Sequence, residues 1–371
     1  MDFKSCSLEG VVIVLLDFFK DKKVLITGHT GFKGSWLTKI LMDAGAIVTG
    51  YALNPKTEPS LFSILKLHLN MNSVIADIRD YNRLKQVFDE FQPDIAIHMA
   101  AQPLVRESYV YPKETYEINV LGTIHFLECA RLTPSVKSIL NVTSDKVYQN
   151  DDSTHRFIET DILNGFDPYS NSKSCSELVT ETYSRSYFKY SNQSVSTARA
   201  GNVIGGGDFS NDRIIPDIVR SILSGQELLL RNPNAIRPYQ HVLEPLFAYL
   251  LIIKMQYENK DFEGAYNVGP SEEDSISTMD LTNAFMKVCG NKMKYQVDKG
   301  QGPHEAQYLK LDSTKIRLRM NWKPILSIRE AIEMTSAWYL SYIQNQPTEK
   351  IMDDQIRLYI EKYNRLNSVK S

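Results

Sequence analysis

The sequence has few cysteines and no apolar run long enough to cross a membrane. Its four cysteines, Cys6, Cys129, Cys175 and Cys289, lie far apart and form no CxxC pair. This spacing indicates neither a zinc site nor a disulfide framework, and it is typical of a protein of the reducing cytoplasm. The longest β-rich apolar stretch near the start, VVIVLLDFF at residues 11–19, is short and contains an aspartate. We interpret it as an N-terminal packing segment, with a cleaved signal peptide as the alternative.

The chain also lacks a strong excess of charge of either sign. It carries 42 lysines and arginines against 44 aspartates and glutamates, which gives a formal net charge of −2. Bulk electrostatics therefore gives no reason to expect nucleic acid or an anionic membrane as a partner, and an anionic ligand would have to be held by local groups. With 371 residues, 43% of them hydrophobic, the chain can form one large domain or two closely packed ones around a sizeable core.

From residue 23 the sequence alternates short apolar runs rich in strand formers with longer amphipathic stretches. This alternation is typical of a parallel sheet covered by helices on both faces. The predicted strands are KVLITG, AIVTGYAL, NSVIAD, DIAIHMA, SILNVTS and SVSTARAGNV. The sequence therefore predicts an α/β fold with a doubly wound parallel Rossmann sheet and a smaller, mostly helical C-terminal substrate domain.

The strongest local pattern is the glycine-rich turn in VLITGHTGFKGSWLTKIL. An apolar strand leads into Gly28, Gly31 and Gly34 and then into a helix, whose first N–H groups can bind a pyrophosphate. The alternative is a tight turn beside a closely packed helix, but the position at the start of a βαβ series favours a dinucleotide. The second strand ends in YALN, residues 51–54, without the acidic residue that usually binds a ribose. Because no arginine stands there to hold a 2′-phosphate, NAD is favoured over NADP.

The sequence changes in character after Asn202, where it becomes rich in glycine, proline and arginine. We expect an N-terminal extension over 1–20, an NAD-binding domain over 21–202 with a returning segment near 239–269, a substrate domain over 203–345 and a tail over 346–371. A ligand crevice is expected between the two domains. The polar tail is predicted to form a surface helix that frays.

Two further stretches carry chemistry. In DPYSNSK, Tyr169 and Lys173 are four residues apart and therefore on one face of a helix. An ammonium beside a tyrosine favours the phenolate, which can accept the proton of an alcohol whose carbon gives up a hydride. The alternative is an ordinary surface pair, but the upstream glycine turn favours the catalytic interpretation. The second stretch, TSDKVY, places Asp145 and Lys146 side by side at the end of the fifth predicted strand.

Together with HMAAQPLVRESY, RAGNVIGGGDFSNDRIIPD and YNVGP, these motifs resemble the extended short-chain dehydrogenase/reductases that act on nucleotide sugars. The resemblance runs from about residue 20 to residue 345 and is strongest to the 4,6-dehydratases among them. It implies that Ser144 hydrogen-bonds the reacting C4 oxygen and that Tyr169 and Lys173 are the catalytic pair. Asp145 and Lys146 occupy the positions where the dTDP-glucose enzymes carry Asp and Glu. The resemblance thus implies that Asp145 protonates the departing C6 hydroxyl and that Lys146, as a neutral amine, takes the C5 proton.

The resemblance also implies the residues that contact ligands. The expected cofactor contacts are Gly28, His29, Gly31, Phe32, Lys33, Gly34, Asp77, Ile78, Ala100, Ala101, Gln102, Asn119, Tyr169 and Lys173. The expected substrate contacts are Ser144, Asn202, Arg213, Arg231 and Arg237, and no metal is expected. His29 and Lys33 are expected near the cofactor phosphates and Arg237 on the substrate pyrophosphate. Three roles stay open: a helix N-cap for Asp77, phosphate binding or pairing with Asp145 for Lys146, and a structural role for His241.

Two other functions remain as alternatives. A nucleotide-sugar 4-epimerase needs no acid or base at the positions of Asp145 and Lys146, and a non-catalytic cofactor-sensing protein typically loses the tyrosine and lysine of the catalytic pair. The resemblance further implies a cytoplasmic enzyme of 6-deoxysugar synthesis for surface polysaccharide. It also implies a homodimer, or a dimer of dimers, that pairs through the helices around TYEINVLGT and YSNSKSCSELVTETY. The alternative is that the apolar faces of these helices belong to the core.

Overall fold

A seven-stranded parallel sheet lies at the centre of the computed structural model, which describes residues 15–290, 294–297 and 308–368. The strands are β1 (Lys23–Thr27), β2 (Ile47–Ala52), β3 (Asn72–Ile75), β4 (Ile95–His98), β5 (Ser138–Val142), β6 (Ser194–Ala200) and β7 (Gly264–Val268). Their order across the sheet is β7-β6-β5-β4-β1-β2-β3, and every neighbouring pair is parallel. All six predicted strands are confirmed, and so is the doubly wound fold. Residues 1–14 of the predicted N-terminal extension lie outside the described residues.

The strands are continuous apolar runs because helices cover both faces of the sheet. Every residue of β5 and β6 is buried, and β1 is exposed only at its first residue. The helices are α1 (Phe32–Asp43), α2 (Leu61–Ile64), α3 (Tyr81–Phe91), α4 (Val105–Val110), α5 (Pro112–Tyr116), α6 (Gly122–Arg131), α7 (Pro168–Ser186), α8 (Ile214–Ser224), α9 (Leu243–Glu258), α10 (Thr278–Val288), α11 (Thr314–Met320), α12 (Ile328–Ile343) and α13 (Thr348–Ser368). A π-helical stretch, Glu117–Leu121, joins α5 to α6.

Two hydrophobic clusters lie on opposite faces of the sheet. Alternate residues of β1 separate them, since Val24 and Ile26 face one cluster and Leu25 faces the other. The first cluster is the larger and packs the sheet against α1, α9, α12 and α13. The second packs it against α3 and α6. The carboxyl ends of β1 and β4 therefore open between the two helical layers, which is where ligands bind in sheets of this topology.

The region after Asn202 combines helices with short strands. The chain returns to the central sheet through α9 and β7, so this region shares the sheet with the first 200 residues. It also forms ladders of two or three residues, such as Val203–Ile204 beside Gln240–His241 and Ile236–Arg237 beside Ile276–Ser277. Strands this short show no detectable apolar period in the sequence, which is why a mostly helical region was expected here.

The C-terminal helix α13 packs into the core along one face, whereas the sequence predicted a fraying surface helix. Its buried apolar residues are Met352, Ile356, Tyr359 and Tyr363, at helical spacing. The Tyr359 hydroxyl donates a hydrogen bond to Glu244 Oε2 at 2.9 Å. The low average hydropathy of the tail concealed this narrow apolar face. Within the residues that the structure describes, no helix is long and apolar enough to cross a membrane.

Candidate active site

In the glycine turn after β1, close packing within the protein requires glycine at two positions, whereas the third glycine faces open space. A Cβ on Gly28, which has φ +79°, would lie 2.7 Å from the Ala100 backbone nitrogen, and a Cβ on Gly34 would clash with the Gly28 carbonyl oxygen. Gly31 is exposed, and a Cβ there would meet only Gly28 O at an ordinary 3.4 Å. The fold itself thus demands glycine at positions 28 and 34. At position 31 the open space suits a ligand that approaches the backbone closely.

Helix α1 begins directly above this open space. Gly31 is its N-cap and supplies no side-chain hydrogen bond, and the first turn contains no acidic residue. The first N–H groups of the helix are therefore available to an anion, and the helix dipole favours a negative charge there. The cradle fits the pyrophosphate of a dinucleotide, as the sequence pattern predicts.

His29 and Lys33 point away from this turn in different directions. The His29 side chain is fully buried, its Nε2 lies 2.7 Å from Ser73 Oγ, and its ring packs on Phe62. Burial lowers the pKa of His29 to about 4, so the ring is neutral. Only the backbone of His29 can reach a ligand at the turn. Lys33, expected near the cofactor phosphates, instead lines the large cavity described below.

A hydrogen bond joins the ends of β2 and β3, at the point where the second strand lacks the acidic residue that usually binds a ribose. The Tyr51 hydroxyl donates to the Asp77 carbonyl oxygen at 2.8 Å. The Asp77 carboxylate accepts from Arg79 Nε and Nη2, and these hydrogen bonds lower the pKa of Asp77. The side-chain N-cap of α3 is Asp80, so the alternative role of Asp77 as an N-cap is wrong. Asp77 is half-buried.

The other residues expected along the cofactor form a rigid wall. Asn119 Oδ1 accepts from the Gln102 backbone N–H at 2.8 Å, and Asn119 Nδ2 donates to Gln102 O at 3.1 Å and to Ser172 Oγ at 2.8 Å. These bonds fix the loop after β4 to the catalytic helix α7. Ala100 and Ala101 in this loop are small and half-buried, so the backbone stays accessible beside them. The side-chain polar groups of Asn119 are engaged by the protein itself.

Helix α7 positions Tyr169 and Lys173 over the end of β5. Asp167 caps the helix by accepting from the Ser170 backbone N–H at 3.0 Å, and Pro168 occupies the first turn. The Lys173 ammonium donates to the Val142 carbonyl oxygen at 3.1 Å. Burial lowers the pKa of Lys173 to about 8, with Glu177 opposing the shift. Burial raises the pKa of Tyr169, and an interaction with the Ser144 side chain opposes that shift.

The TSDKVY stretch folds into a single turn of 3₁₀ helix, Asp145–Val147, capped by Ser144. Ser144 Oγ donates to Asp145 Oδ1 at 3.1 Å and accepts from the Lys146 backbone N–H at 3.2 Å. Asp145 is 3% exposed, and its Oδ2 has no hydrogen-bond partner among the described residues. A Cβ on Gly201 would clash with this oxygen. Burial raises the pKa of Asp145, against the charge of Lys146, the Ser144 hydrogen bond and the charge of Arg237.

A cavity of about 310 Å³ brings most of the predicted catalytic and substrate residues together. Those that line it are Lys33, Ser144, Asp145, Lys146, Tyr169, Asn202, Arg213, Arg231 and Arg237. An acid whose pKa is raised, a lysine and a tyrosine therefore face one space. This arrangement can protonate one oxygen, remove a proton from carbon and remove a proton from another oxygen of the same ligand.

Aspartates form ion pairs with two of the three predicted arginines that line the cavity. Arg213 Nη1 lies 3.2 Å from Asp208 Oδ2, and Arg231 pairs with Asp212. Arg237 is 8% exposed and donates to the Ile236 carbonyl oxygen at 3.0 Å. Guanidinium groups fixed in this way are suited to a pyrophosphate, because little side-chain freedom is lost on binding.

Sequence reasoning missed Arg106, which lines the same cavity from α4. The signal was its place in HMAAQPLVRESY, directly after the cofactor-facing strand β4. His241, by contrast, does not line the cavity. It is fully buried, accepts from the Leu243 backbone N–H at 3.4 Å and packs edge-on against Trp36, and burial lowers its pKa to about 3. These contacts favour the structural role for His241. The described residues contain no cluster of three or more side chains suited to a metal ion.

The comparisons with known proteins agree with this site. A family model of the GDP-mannose 4,6-dehydratases matches residues 25–335. The chain is 44% identical over 336 residues to the CDP-glucose 4,6-dehydratase of Salmonella typhimurium, a match that covers 89% of this chain and 94% of that protein. It is 26% identical to the dTDP-glucose 4,6-dehydratase of the same organism, over 87% of this chain and 94% of that one.

Solved structures share the fold at lower identity. An epimerase from Methanothermobacter thermautotrophicus is 23% identical with a TM-score of 0.78, over 92% of this chain and 98% of that one. A dTDP-glucose 4,6-dehydratase from Streptomyces venezuelae, solved with NAD bound, is 24% identical with a TM-score of 0.74, over 87% of this chain and 98% of that one. Because epimerases and dehydratases both share the fold, the reaction has to be argued from the residues in the cavity.

Proposed function

The chain belongs to the GDP-mannose 4,6-dehydratase family, and from this we propose that it is a CDP-glucose 4,6-dehydratase. This enzyme is an NAD-dependent hydro-lyase that converts CDP-D-glucose to CDP-4-dehydro-6-deoxy-D-glucose and water. The observation that carries the proposal is the pair Asp145 and Lys146 in the cavity beside Tyr169. An epimerase exchanges a hydride at C4 alone and has no use for this additional acid and base.

NAD is the proposed cofactor, because the open space over Gly31 and the free N–H groups of α1 fit its pyrophosphate. When bound, NAD supplies the hydride acceptor for C4 and the hydride donor for C6. The remaining proposed contacts are the backbone of His29, Phe32, Asp77, Ile78, Ala100, Ala101 and Gln102. Lys33 lines the cavity rather than the turn, so we propose that it contacts the part of the cofactor that faces the substrate.

The proposed reaction divides three proton transfers among three side chains. Tyr169, as a phenolate, takes the proton of the C4 hydroxyl, and the positive charge of Lys173 favours that ionised form. The C4 ketone then acidifies C5, and Lys146 takes the C5 proton as a neutral amine. Asp145 protonates the C6 hydroxyl, which leaves as water. The raised pKa of Asp145 suits this role, since the shift favours the protonated form of the carboxyl.

The arginines on the far side of the cavity are proposed to hold the substrate pyrophosphate. Arg237 is the principal contact, with Arg213 and Arg231 beside it, and their ion pairs with Asp208 and Asp212 fix their orientation. We place Asn202 on the sugar, because it follows β6 directly at the cavity wall.

We further propose a cytoplasmic homodimer, or a dimer of dimers, that makes a 6-deoxysugar precursor for surface polysaccharide such as lipopolysaccharide O-antigen. On α5, the π-helical stretch after it and α7, three apolar side chains are more than a third exposed: Tyr116 at 36%, Leu121 at 41% and Leu178 at 47%. A second copy of the chain would cover them. The described cysteines, Cys129, Cys175 and Cys289, are all free, in agreement with a reducing compartment.

Incubation with CDP-glucose and NAD in deuterated water tests the proposed function. We expect a 4-keto-6-deoxy sugar that carries deuterium at C5, because the C5 proton exchanges with solvent during elimination. A galactose isomer without label would show an epimerase, and an unchanged sugar would show a cofactor-sensing protein. The same assay with UDP-glucose and dTDP-glucose measures the nucleotide preference, and equal rates with all three would contradict the CDP assignment.

A further inference from the structure

A buried ion pair contacts the stretch TSDKVY, residues 143–148, at both of its ends. Arg199 on β6 and Glu177 on α7 are each 3% exposed, and Arg199 Nη2 donates to Glu177 Oε2 at 2.8 Å. Neither side chain is among those that line the cavity in the described part of the chain. Any effect of the pair on the reaction therefore acts through the residues that it contacts.

Each member of the pair holds one end of this stretch. The hydroxyl of its first residue, Thr143, donates to Glu177 Oε1. The hydroxyl of its last residue, Tyr148, accepts from Arg199 Nη1 at 2.7 Å. The acid and the base of the proposed reaction lie between these two anchors, on the 3₁₀ turn. The ion pair thus links the two ends of the turn to each other and to helix α7.

Stability alone does not explain two charges at this position. Removing both charges from water is costly, and their attraction in the interior does little more than offset that cost, so apolar side chains of similar size would stabilise the fold about as well. A guanidinium differs from an apolar side chain because its N–H donors point in fixed directions. The donors of Arg199 are directed at Glu177, at Tyr148 and, at 3.1 Å, at the Glu159 carbonyl oxygen. The pair therefore fixes the positions of the groups around it.

The proposed reaction requires such fixed positions, because its side chains act on three neighbouring carbons of one sugar. Tyr169 acts at C4 from helix α7, whereas Lys146 and Asp145 act at C5 and C6 from the 3₁₀ turn. We propose that Glu177 and Arg199 are positioning residues that hold this turn at a fixed place relative to α7. The inference rests on the proposed function, and it identifies residues outside the cavity on which the elimination step depends.

Other contacts keep the turn folded when one anchor is lost. Ser174 on α7 donates to the Val147 carbonyl oxygen at 2.7 Å, and the Ser144 side chain caps the turn. Loss of an anchor should therefore shift the turn rather than unfold it. A displacement of about 1 Å can lower the rate of a chemical step about a hundredfold. The elimination, which uses the turn, should then slow more than the oxidation at C4, which uses α7.

Tyr148→Phe removes one anchor and leaves the ion pair intact. When the NAD-bound enzyme is mixed rapidly with CDP-glucose, the absorbance of reduced cofactor rises as C4 is oxidised and falls as hydride returns to C6 after elimination. We expect the rise to stay within about twofold of the wild-type rate and the fall to slow about tenfold or more, so that reduced cofactor accumulates. A merely structural role would lower the amount of active enzyme and leave the ratio of the two rates unchanged.

Thr197→Val is the matched control. Thr197 is 5% exposed, and its hydroxyl donates to the same Glu177 carboxylate at 2.7 Å, but it lies on β6 and not on the turn. This variant should leave the ratio of the two rates unchanged. Arg199→Lys keeps a positive charge opposite Glu177 but lacks the guanidinium fork that also reaches Tyr148, so it should change the ratio as Tyr148→Phe does. If Arg199→Lys does not fold, Tyr148→Phe and its control decide alone.

Two results would overturn the positioning role and leave the dehydratase function intact. One is an unchanged ratio of the two rates in Tyr148→Phe, and the other is an equal change of that ratio in Thr197→Val. If the wild-type enzyme makes no 4-keto-6-deoxy sugar, the proposed function and the positioning role both fall.

Discussion

Two lysines line the cavity, and only one of them can be the base that takes the C5 proton. Lys146 sits on the same 3₁₀ turn as the acid Asp145, whereas Lys33 enters from the first turn of α1. Lys33 is a serious rival because burial, together with the charges of Arg213 and Lys173, lowers its pKa to about 7. A substantial fraction of Lys33 is then a neutral amine near neutral pH.

We expect Lys146→Met to stop C5 exchange while C4 oxidation continues. Loss of a general base costs about 10²–10⁴ in rate, so deuterium entry at C5 should fall at least a hundredfold. Oxidation at C4 should still appear as a transient near-ultraviolet absorbance of reduced cofactor. Lys33→Met is the control, and it should weaken ligand binding but retain exchange. If exchange stops with Lys33→Met and survives Lys146→Met, the two roles are reversed.

The sequence singles out candidate catalytic residues, but it does not give their surroundings. Tyr169 and Lys173 reveal themselves through a four-residue spacing within one helix. The unpartnered oxygen of Asp145 depends on Gly201, which is 56 positions away in sequence (201 − 145) and joins the site only through the sheet. The direction of the Lys33 side chain is likewise set by tertiary packing, which a local motif does not encode.

The turn between β1 and α1 contains two kinds of glycine. The fold requires Gly28 and Gly34, whereas Gly31 leaves room for a ligand. Gly31→Ala should change the free energy of unfolding by less than about 1 kcal/mol, since its Cβ meets only an ordinary contact. The same change should weaken NAD binding about tenfold or more, or about 1.4 kcal/mol, because the Cβ fills the open space. Urea unfolding and titration calorimetry with NAD measure the two effects.

Gly34→Ala is the matched control for this turn. Its Cβ would clash with the Gly28 carbonyl oxygen, so it should cost about 1–3 kcal/mol of stability whether or not NAD is present. Unchanged NAD affinity in Gly31→Ala would contradict the placement of the pyrophosphate over this turn.

Helices α9 and α13 meet at a buried carboxyl whose titration should affect stability. Glu244 is 1% exposed and accepts hydrogen bonds from the Ile325 and Leu326 backbone N–H groups and from the Tyr359 hydroxyl. Burial raises the pKa of Glu244 to about 7, and these hydrogen bonds only partly oppose the shift. A free glutamate has a pKa of about 4.3, so the folded state binds the proton more tightly than the unfolded state.

The stabilisation from this proton is complete below the unfolded pKa and is lost as the pH rises through the folded pKa. Between about pH 4.3 and pH 7 the wild-type protein should therefore lose about 3 kcal/mol relative to Glu244→Gln, which has no proton to lose at this position. Thermal or urea unfolding of both proteins across this range measures the difference. Parallel stability curves for the two proteins would show that Glu244 does not titrate in the folded state.

At the scale of the whole molecule, the sequence predicts six strands of the sheet well, but it predicts the seventh strand and the lining of the cavity less well. Six strands and their helices follow one another along the chain, so apolar period and spacing identify them. The edge strand β7 enters from residue 264 after a long excursion through the substrate region, and the sequence indicated it only as part of a returning segment near 239–269. The cavity forms where this excursion returns to the carboxyl ends of β5 and β6. Its lining therefore depends on contacts between distant parts of the chain.

The exposed apolar residues between α5 and α7 lead to a prediction about assembly. Leu178 lies on α7, the helix that carries Tyr169 and Lys173, and it is 47% exposed in the single chain. A second copy that packs on this face would bury Leu178 and would contact the outer face of α7. Light scattering should therefore give the wild-type protein a mass of twice 42.4 kDa, or four times if two dimers associate.

Leu178→Glu should reduce that mass, to 42.4 kDa if this face forms the only interface, because a buried unpaired carboxylate opposes association. Leu318→Glu is the matched control. Leu318 is 80% exposed on α11, outside the proposed interface, so its substitution should leave the mass unchanged. A wild-type mass of one chain would contradict the dimer. An unchanged mass for Leu178→Glu would place the interface elsewhere. A glutamate at the centre of an apolar contact would lose its hydration on association, and this desolvation would oppose the dimer.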